Sequence, residues 1–352
     1  MMNPFKFGSI VKDDFFTDRR VELQHIKSML YSENHLILIS PRRFGKTSLV
    51  VKAVNESGRK YIMINMQSVV SVENLATRLL KEIFRLYKFE KIKYLLRNFR
   101  VVPTVSVNPM TDGVEVAFQP TVDDRVLIED AFDLLQNVAT EDDRIIVVFD
   151  EFQEIKSIDN SLDRLLRSIL QLHRNINYIF LGSQESMMRE IFEKKKSPFF
   201  HFGQLMSLDK IPYDDFKCYL CERLNFLSGA DEICDKILEF TQCHPYYTQQ
   251  LASQVWEIGK QGVVVDDVVN AAIVRLLEFH DLNFERIWLN FNNTDKRILQ
   301  WLSKGNKPYA LMGVAQSTIS SSLKRMLRDG YLIKPAEYEL EDPFFRNWIL
   351  QQ

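Results

Sequence analysis

The chain has 352 residues, 46% of them hydrophobic and 26% charged, and its 47 acidic and 45 basic residues leave a formal net charge of −2. This length allows two or three domains with cores of their own, and the balanced charge excludes a chain that binds nucleic acid through an overall basic surface. Four cysteines are too few for a disulfide framework, and short apolar runs with no signal-peptide core predict a cytoplasmic protein without a membrane partner.

Short apolar runs alternate with helical stretches over the first two hundred residues, which is the pattern of a parallel sheet covered by helices. The predicted strands are residues 35–40, 60–66, 144–150 and 177–183. The predicted helices between them are residues 46–56, 71–99 and 161–174. Each strand is too apolar to have a face in water, as expected for strands buried on both sides. The sequence therefore predicts an α/β fold with helices on both faces of a parallel sheet.

The loop after the first predicted strand has the residue types that bind phosphate. It consists of Ser40, Pro41, Arg42, Arg43, Phe44, Gly45, Lys46, Thr47 and Ser48. Backbone N–H groups of such a loop and of the helix that follows it converge on an anion. Gly45 lets the backbone approach phosphate oxygens, Lys46 places an ammonium against the β- and γ-phosphates, and the Thr47 hydroxyl can ligate Mg²⁺. This loop is therefore predicted to bind a nucleoside triphosphate with its metal ion.

Two features of the loop depart from the simplest phosphate-binding pattern. Ser40 stands where the pattern GxxxxGK[ST] has its first glycine, and a serine fits this turn if its φ is negative, with somewhat weaker affinity. Arg42 and Arg43 have two readings: they are solvated loop charges, or they reach a phosphate or a neighbouring subunit.

The third predicted strand carries carboxylates to its C-terminal end, where open α/β sheets bind ligands. Asp150 is predicted to hold the hydration shell of Mg²⁺, and Glu151 to polarise the attacking water as the catalytic base. Gln153 either orients the same water or terminates a helix. Because a phosphate loop and a strand-end carboxylate pair occur in this order, the sequence predicts a site for ATP and Mg²⁺.

An insert at residues 101–120 alternates with period two on either side of a turn at 109–113, which predicts a β-hairpin. Val105 and Val107 would face Val114, Val116 and Phe118. Such a hairpin either recognises a partner or covers a helix.

The C-terminal part of the chain is predicted to be helical from about residue 206. Its first helices are 213–228, 231–242, 245–260 and 265–280. The remainder is a helix capped by Asn293 or Thr294 and ended by Gly305, a second helix ended by Gly330, a short strand pair and a closing helix. This order is that of a winged helix-turn-helix. The predicted domains are an ATPase domain at 1–205, a helical lid at 206–280 and a winged helix at 281–352.

The cysteine pair Cys218 and Cys221 has the C-x-x-C spacing of some zinc sites. The surrounding residues form an amphipathic helix, in which Cys218, Cys221 and Leu224 recur every third position. This periodicity favours a place in the core over a metal site.

With these residues established, the chain resembles a family of archaeal-type ATPases in the STAND branch related to AAA+ proteins. The resemblance rests on an N-terminal segment (3–5 and 15–23), the Walker A segment (40–49), the Walker B segment (147–155), a sensor strand (178–188) and a lid motif, Cys243-His244-Pro245. It implies that the N-terminal segment lies over the adenine, that Ser183 or Gln184 lies beside the γ-phosphate, and that Pro245 belongs to the nucleotide site. His244 either caps and packs its helix or senses the nucleotide.

One departure from the family concerns the arginine expected after the sensor strand. No arginine occurs between Arg189 and Arg223. Since an arginine finger is worth roughly 10³–10⁵ in turnover, its absence predicts slow hydrolysis or a finger supplied from elsewhere. Arg164, Arg167 and Arg174 are candidates, although solvated helix charges are the simpler interpretation. A switch fits this pattern better than a motor.

The C-terminal segment is the predicted partner-binding region. Residues 291–352 contain nine basic and six acidic residues, a balance of +3. Gln316, Ser317, Thr318 and Ser320 at the start of its second helix suit contacts to DNA, whereas the carboxylates at 337–342 would repel it. Three functions follow: an ATP-hydrolysing switch, a DNA-binding regulator or initiator-like protein with ATP as a structural cofactor, and a non-hydrolysing scaffold. The partner, DNA or protein, and the oligomeric state are left open.

Overall fold

The computed structural model describes residues 2–9, 16, 19–87, 92, 94–100, 104–107, 114–117, 123–261, 267–334 and 336–352. These residues form two compact units. The sheet unit consists of Arg20–Ser40 and Leu49–Leu208, and the helical unit consists of Met1–Arg19, Pro41–Ser48 and Asp209–Gln352.

The strands of the described chain belong to one five-stranded sheet and two hairpins. They are β1 (Leu36–Ile39), β2 (Tyr61–Asn65), β3 (Thr104–Val107), β4 (Val114–Ala117), β5 (Ile145–Asp150), β6 (Ile176–Gly182), β7 (Gln204–Ser207), β8 (Leu332–Ile333) and β9 (Glu339–Leu340). The sheet has the order β2-β5-β6-β1-β7, and all its neighbouring pairs are parallel. The helices of the sheet unit are α1 (Arg20–Tyr31), α2 (Lys46–Glu56), α3 (Val72–Leu86), α4 (Asp124–Val138), α5 (Ile155–Ile158), α6 (Leu162–Leu170) and α7 (Glu185–Phe192), with the first residues of α2 in the helical unit.

The central strands confirm the prediction of a parallel sheet covered by helices. Every residue of β1, β5 and β6 is buried, as their unbroken apolar runs require. Around Phe180, aromatic rings pack at centroid distances of 4.6–6.2 Å and fill one layer of the core. The fifth strand, β7, was not predicted, because Gln204–Ser207 is a short edge strand whose two end residues are exposed.

The predicted β-hairpin is present as the antiparallel pair β3 and β4. Val105 lies opposite Val116 and Val107 opposite Val114, which is the predicted facing. The predicted turn and Phe118 lie outside the described residues. Val116 is buried in the core of the sheet unit and β4 packs against α3. This strand therefore covers a helix, which was one of the two predicted roles.

The helical unit begins with four helices. They are α8 (Tyr213–Leu224), α9 (Ala230–Thr241), α10 (Pro245–Lys260) and α11 (Val268–Leu289). The last of these is one continuous helix of 22 residues. The predicted boundary between lid and winged helix, at 280, falls inside α11, so the two predicted segments share this helix.

The remaining elements of the helical unit follow α11 directly. They are α12 (Asn293–Ser303), α13 (Gln316–Arg328), the antiparallel pair β8–β9 and α14 (Pro343–Leu350). The prediction of Asn293 or Thr294 as N-cap was wrong: the Asn292 side chain accepts the Asp295 N–H at 2.9 Å, because its extended backbone places it just outside the first turn. Asp295 is itself buried and paired with Arg325 of α13.

Within the described ranges, no cluster of three or more His, Cys, Asp and Glu residues is arranged to hold a metal ion. Cys218 is exposed, which corrects its predicted core position, whereas Leu220, Leu224 and Cys234 are buried. The helix α8 turns the 218 position to solvent. Among the described residues, no helix is both long and apolar enough to cross a membrane.

Candidate functional site

Three neighbouring strands of the sheet end in polar side chains at the same edge. Ser40 follows β1, Asp150 ends β5, and Ser183 follows β6. The backbone N–H of Ser40 donates to the carbonyl of Gly182 at 3.3 Å, which extends the pairing of β1 and β6. Because the carboxyl ends of parallel strands form the ligand-binding edge of open α/β sheets, these residues mark the candidate site.

The phosphate loop leads from β1 directly into α2. Within it, the Lys46 side chain is 5% exposed, and its Nζ donates to the carbonyl of Pro41 at 3.0 Å. This bond folds the lysine back over its own loop, at the N-terminus of a helix. Thr47 is half-buried and Ser48 is buried, both in the first turn of α2.

The backbone angles of the loop explain why a serine is accepted at position 40. The described residues with positive φ include Arg43 at +64° and Gly45 at +86°, but not Ser40. The condition for a serine at this position, a φ that is not positive, is therefore met. The left-handed positions lie later in the loop, so a Cβ at position 40 meets no backbone penalty.

Glu151 lies in a left-handed turn at the end of β5, with φ +52° and ψ +47°. Its backbone N–H donates to Asp150 Oδ1 at 3.0 Å. Its carboxylate oxygen Oε2 accepts two hydrogen bonds, from Ser183 Oγ at 2.5 Å and from Gln153 Nε2 at 2.5 Å. Two side chains thus fix the orientation of this carboxylate.

Gln153 and Ser183 are therefore brought together with Glu151, and Gln184 is not. Gln153 is 1% exposed and packs against Gly182, where an added Cβ would lie 2.8 Å from its Oε1. Gln184 occupies the N-cap position of α7, is half-buried and makes no side-chain capping bond. Of the two residues that the resemblance placed beside the γ-phosphate, Ser183 contacts the Walker B carboxylate.

Arg43 and Phe44 of the loop contact residues far along the chain, all within the helical unit. Arg43 donates from Nη1 to the hydroxyl of Tyr247 at 2.7 Å, and its guanidinium lies 4.8 Å from the centre of the Tyr246 ring. Phe44 is buried, with its ring centroid 4.8 Å from that of His244. The Arg43 side chain is 49% exposed, so it is partly solvated as well as bonded, and its contact with a phosphate stays a prediction.

The hydroxyl of Tyr247 joins Arg43 to a carboxylate between β9 and α14. It donates to Glu341 Oε2 at 2.7 Å, and Arg43 Nη1 lies 3.9 Å from the same oxygen. Burial raises the pKa of Tyr247 far above its ordinary value, so its hydroxyl keeps its proton. Glu341 Oε1 is buried and lies 3.5 Å from Nε2 of His244. We call Arg43, Tyr247, Glu341 and His244 the Arg43 network.

His244 has the capping role that was one of its two predicted readings. Its Nδ1 accepts the backbone N–H of Tyr246 at 3.2 Å at the start of α10, and Pro245 occupies the first turn. Burial lowers the pKa of His244, against the opposing effect of Glu341, so the ring is neutral at neutral pH.

Sequence reasoning missed Tyr247 and Glu341. The position of Tyr247, two residues after the lid motif, could have marked it as a candidate site residue. Glu341 was read as part of an acidic wing that repels DNA. In the structure the wing carboxylates are paired instead: Glu337 with Lys307 at 2.8 Å and Glu339 with Lys210 at 2.8 Å, besides Glu341 in the Arg43 network.

Of the three arginines considered as fingers, Arg167 is placed by its contacts at the end of the sheet opposite to the carboxyl edge. Arg167 lies against the ring of Phe202 at 4.6 Å, near His35, the residue that precedes β1 at its opposite, amino end. Arg164 and Arg174 are exposed.

The N-terminal segment is partly described. Asn3 donates to Ser253 Oγ at 3.0 Å, and Phe5 is buried in the core of the helical unit. Arg19 is 6% exposed and donates to the Asp209 carbonyl at 2.6 Å. Residues 15, 17 and 18 of the predicted adenine-covering segment lie outside the described residues.

The fold and the residues at the strand ends are those of a P-loop nucleoside triphosphatase. The sequence profile described as "ATPase domain predominantly from Archaea" matches residues 16–251, which is more than half of the chain. The chain belongs to this family of ATPases. Among proteins with curated descriptions, none matches its sequence.

Solved structures agree on the fold. The Walker-type ATPase of Pyrococcus abyssi is similar at a TM-score of 0.70 with 17% identity, over 98% of this chain and 99% of that chain. The ORC2 protein of Aeropyrum pernix, solved as ADPNP-ADP complexes, is similar at 0.57 with 14% identity, over 99% and 98%. The ORC1 protein of Aeropyrum pernix, solved with DNA, is similar at 0.51 with 13% identity, over 96% and 92%.

Proposed function

We propose that this chain binds Mg-ATP through the Walker A loop, hydrolyses it slowly, and acts as a nucleotide-dependent switch. The observation that carries the proposal is the arrangement around Glu151, whose carboxylate is oriented by Ser183 and Gln153 beside Asp150. A residue that activates water as a general base must be held in a fixed orientation, and the Glu151 carboxylate at the end of β5 meets this requirement.

The roles of the loop residues follow from their chemistry. Lys46, now bonded to the Pro41 carbonyl, exchanges that neutral acceptor for the charged β- and γ-phosphate oxygens. The backbone N–H groups of Gly45 and of the first turn of α2 supply further donors. Thr47 and Asp150 suit Mg²⁺, which prefers hydroxyl, carboxylate and water oxygens.

The switch part of the proposal is supported by the Arg43 network. A phosphate-loop arginine that is hydrogen-bonded through Tyr247 to Glu341 gives the nucleotide loop a direct connection to the strand pair β8–β9. A bound triphosphate offers Arg43 a stronger anionic partner than a phenol. Exchange of that partner releases Glu341, which is how nucleotide binding is transmitted to the C-terminal elements.

Titration calorimetry with Mg-ATP tests the site. The wild-type chain is expected to bind, and Lys46→Ala is expected to weaken binding by at least about 100-fold, because it removes a charged donor to two phosphates. Lys52→Ala is the matched control, since Lys52 lies on the same helix and pairs with Glu56 at 3.1 Å. Equal affinity of Lys46→Ala and Lys52→Ala would remove the site assignment.

Two other functions are separated by further measurements. A DNA-binding regulator is favoured by the exposed Gln316, Ser317 and Thr318 at the start of α13 and by the paired wing carboxylates. Fluorescence anisotropy of the full chain with duplex DNA at low salt would detect it, and an absence of binding would end it. A non-hydrolysing scaffold predicts no phosphate release from Mg-ATP over hours, whereas the proposed switch releases phosphate slowly.

A further inference from the structure

A second polar cavity lies in the sheet unit, at the amino end of β1. Its volume is about 490 Å³, and its lining includes Glu33, His35, Arg167, Gln171, Phe202 and Gly203. These residues come from three places: the turn before β1, the end of α6 and the loop before β7. The cavity is separate from the carboxyl edge, where Ser40, Asp150 and Ser183 lie, because β1 runs between them.

The loop that forms one wall is tightly fixed to the start of β1. The backbone N–H of Gln204 donates to the carbonyl of His35 at 2.8 Å. A Cβ added at Gly203 would lie 2.7 Å from the same carbonyl oxygen, so only glycine allows this approach. His201 adopts φ +54°, a conformation that costs free energy in a residue with a side chain. The wall is thus held in place by backbone contacts.

Arg167 is the only permanent cation among the cavity-lining residues, and within the described chain it has no carboxylate partner. Its guanidinium lies over the ring of Phe202, and the ring of His35 lies 4.6 Å from that same ring. Its Nη1 donates to Gln171 Oε1 at 2.7 Å. Its Nε is buried and has no hydrogen-bond acceptor in the described part of the chain, which is costly for a charged donor.

His35 supplies a second donor. Its Nδ1 accepts the backbone N–H of Tyr178 at 3.3 Å, so the neutral ring carries its proton on Nε2. Burial, assisted by the charge of Arg167, lowers the pKa of His35 to about 4, and the ring is therefore neutral at neutral pH. Nε2 has no hydrogen-bond partner among the described residues.

We propose that this cavity is an anion site, in which Arg167 and His35 bind the phosphate or carboxylate group of a small molecule. Arginine is the side chain best suited to both groups, because its fork of N–H donors matches their oxygens. Glu33 is the only acid lining the cavity, and among the described residues it forms no ion pair with Arg167. The volume exceeds that of a bare phosphate ion, so the bound group is part of a larger ligand. This site is independent of the ATP site proposed above.

The test uses the full chain with Lys46→Ala, which removes phosphate binding at the Walker A loop. Histidine is labelled with ¹⁵N, the His35 ring signal is assigned with His35→Gln, and orthophosphate and citrate are titrated separately at constant ionic strength. A saturable shift of the His35 signal is expected with at least one anion. The two anions distinguish a phosphate-bearing from a carboxylate-bearing ligand.

Two variants on α6 make the result specific. Arg167→Gln is expected to weaken the titration at least about 10-fold, because a charge-assisted bond is lost, whereas Arg164→Gln, at an exposed position of the same helix, leaves it unchanged. If Arg167→Gln does not fold, Arg167→Lys replaces it, with a loss of a few-fold expected from the missing fork. The absence of a saturable shift with either anion, or equal titrations in the Arg167 and Arg164 variants, would overturn the site.

Discussion

The Walker A loop and the Walker B strand end hold their functional side chains in different ways. Glu151 is fixed within the sheet unit, by Gln153 two residues away and by Ser183 of the neighbouring strand. Arg43 is held within the helical unit by Tyr247, which is 204 positions away, and through it by Glu341. The proposed catalytic carboxylate is thus fixed within the sheet unit, whereas the proposed phosphate loop is bound to residues far along the chain. Catalysis and signalling are expected to respond to different substitutions.

The largest effect is expected at the Walker B carboxylate. Glu151→Gln keeps the shape of the side chain and removes the base, so phosphate release should fall by at least about 100-fold while Mg-ATP affinity stays within about 2-fold. Calorimetry and single-turnover hydrolysis measure the two quantities separately.

The matched control for this prediction is Glu154→Gln. Glu154 lies three residues further on, and its carboxylate accepts a bond from Ser157 at 3.2 Å instead of belonging to the Glu151 arrangement. Its removal should leave turnover unchanged. A Glu151→Gln chain that turns over like Glu154→Gln would show that another group activates the water.

A smaller effect of opposite sign is expected in the Arg43 network. Glu341→Gln removes the anion that competes with phosphate for Arg43, so the affinity for Mg-ATP should rise by about 3- to 10-fold. Glu339→Gln is the control, because Glu339 pairs with Lys210 and not with the loop. Calorimetry decides between the outcomes: unchanged affinity would mean that the contact is not coupled to the nucleotide, and weaker affinity would mean that it prepares the loop for binding.

The smallest expected effect is a difference between the two units in how their stability depends on pH. In the sheet unit, burial lowers the pKa of His173 from 6.5 to about 4, so its contribution to stability is present above pH 6.5 and is lost as the pH falls towards 4. In the helical unit, burial raises the pKa of Asp342 from 3.8 to about 6, so stability is lost as the pH rises through this window. The two groups therefore act in opposite directions between pH 4 and 6.

Scanning calorimetry at pH 4.5 and 6.5 checks this pair. His173→Asn should remove part of the loss of stability at pH 4.5. Asp342→Asn, which keeps an N-cap residue for α14, should remove part of the loss of stability at pH 6.5. Each change is expected to be on the order of 1 kcal/mol. Burial also lowers the pKa of His244, but this residue is present in the wild type and in both variants, so it does not alter the comparison. Parallel pH profiles of Asp342→Asn and wild type would contradict the assignment.

The sequence was informative where burial alone decides structure. The runs at β1, β5 and β6 are apolar because both faces are covered, and helix α2 begins and ends at the predicted residues, 46 and 56. Edge and capping features were harder to predict. The strand β7 has no apolar run, and the choice of Asn292 as N-cap depends on a backbone angle that neighbouring polar residues do not reveal.

For the candidate site, the sequence predicts residues but not all of the contacts that the structure gives them. Gly45, Lys46, Asp150 and Glu151 belong to motifs with fixed spacing, so they could be predicted one by one. The contact between Arg43 and Glu341 through Tyr247 could not, because it joins residues of separate motifs and leaves no periodic pattern. The same holds for Arg167, whose place beside His35 depends on how α6 packs.

The continuous helix α11 restricts the conformational changes that nucleotide binding can cause in the helical unit. At 1.5 Å per residue its 22 residues form a rod about 33 Å long. Bending it near position 280 would break consecutive backbone hydrogen bonds, and within the described helix no proline or glycine provides a hinge there. Helix α11 therefore connects the helices before it rigidly to the elements that follow it. A displacement of Glu341 should move these elements together as one rigid body.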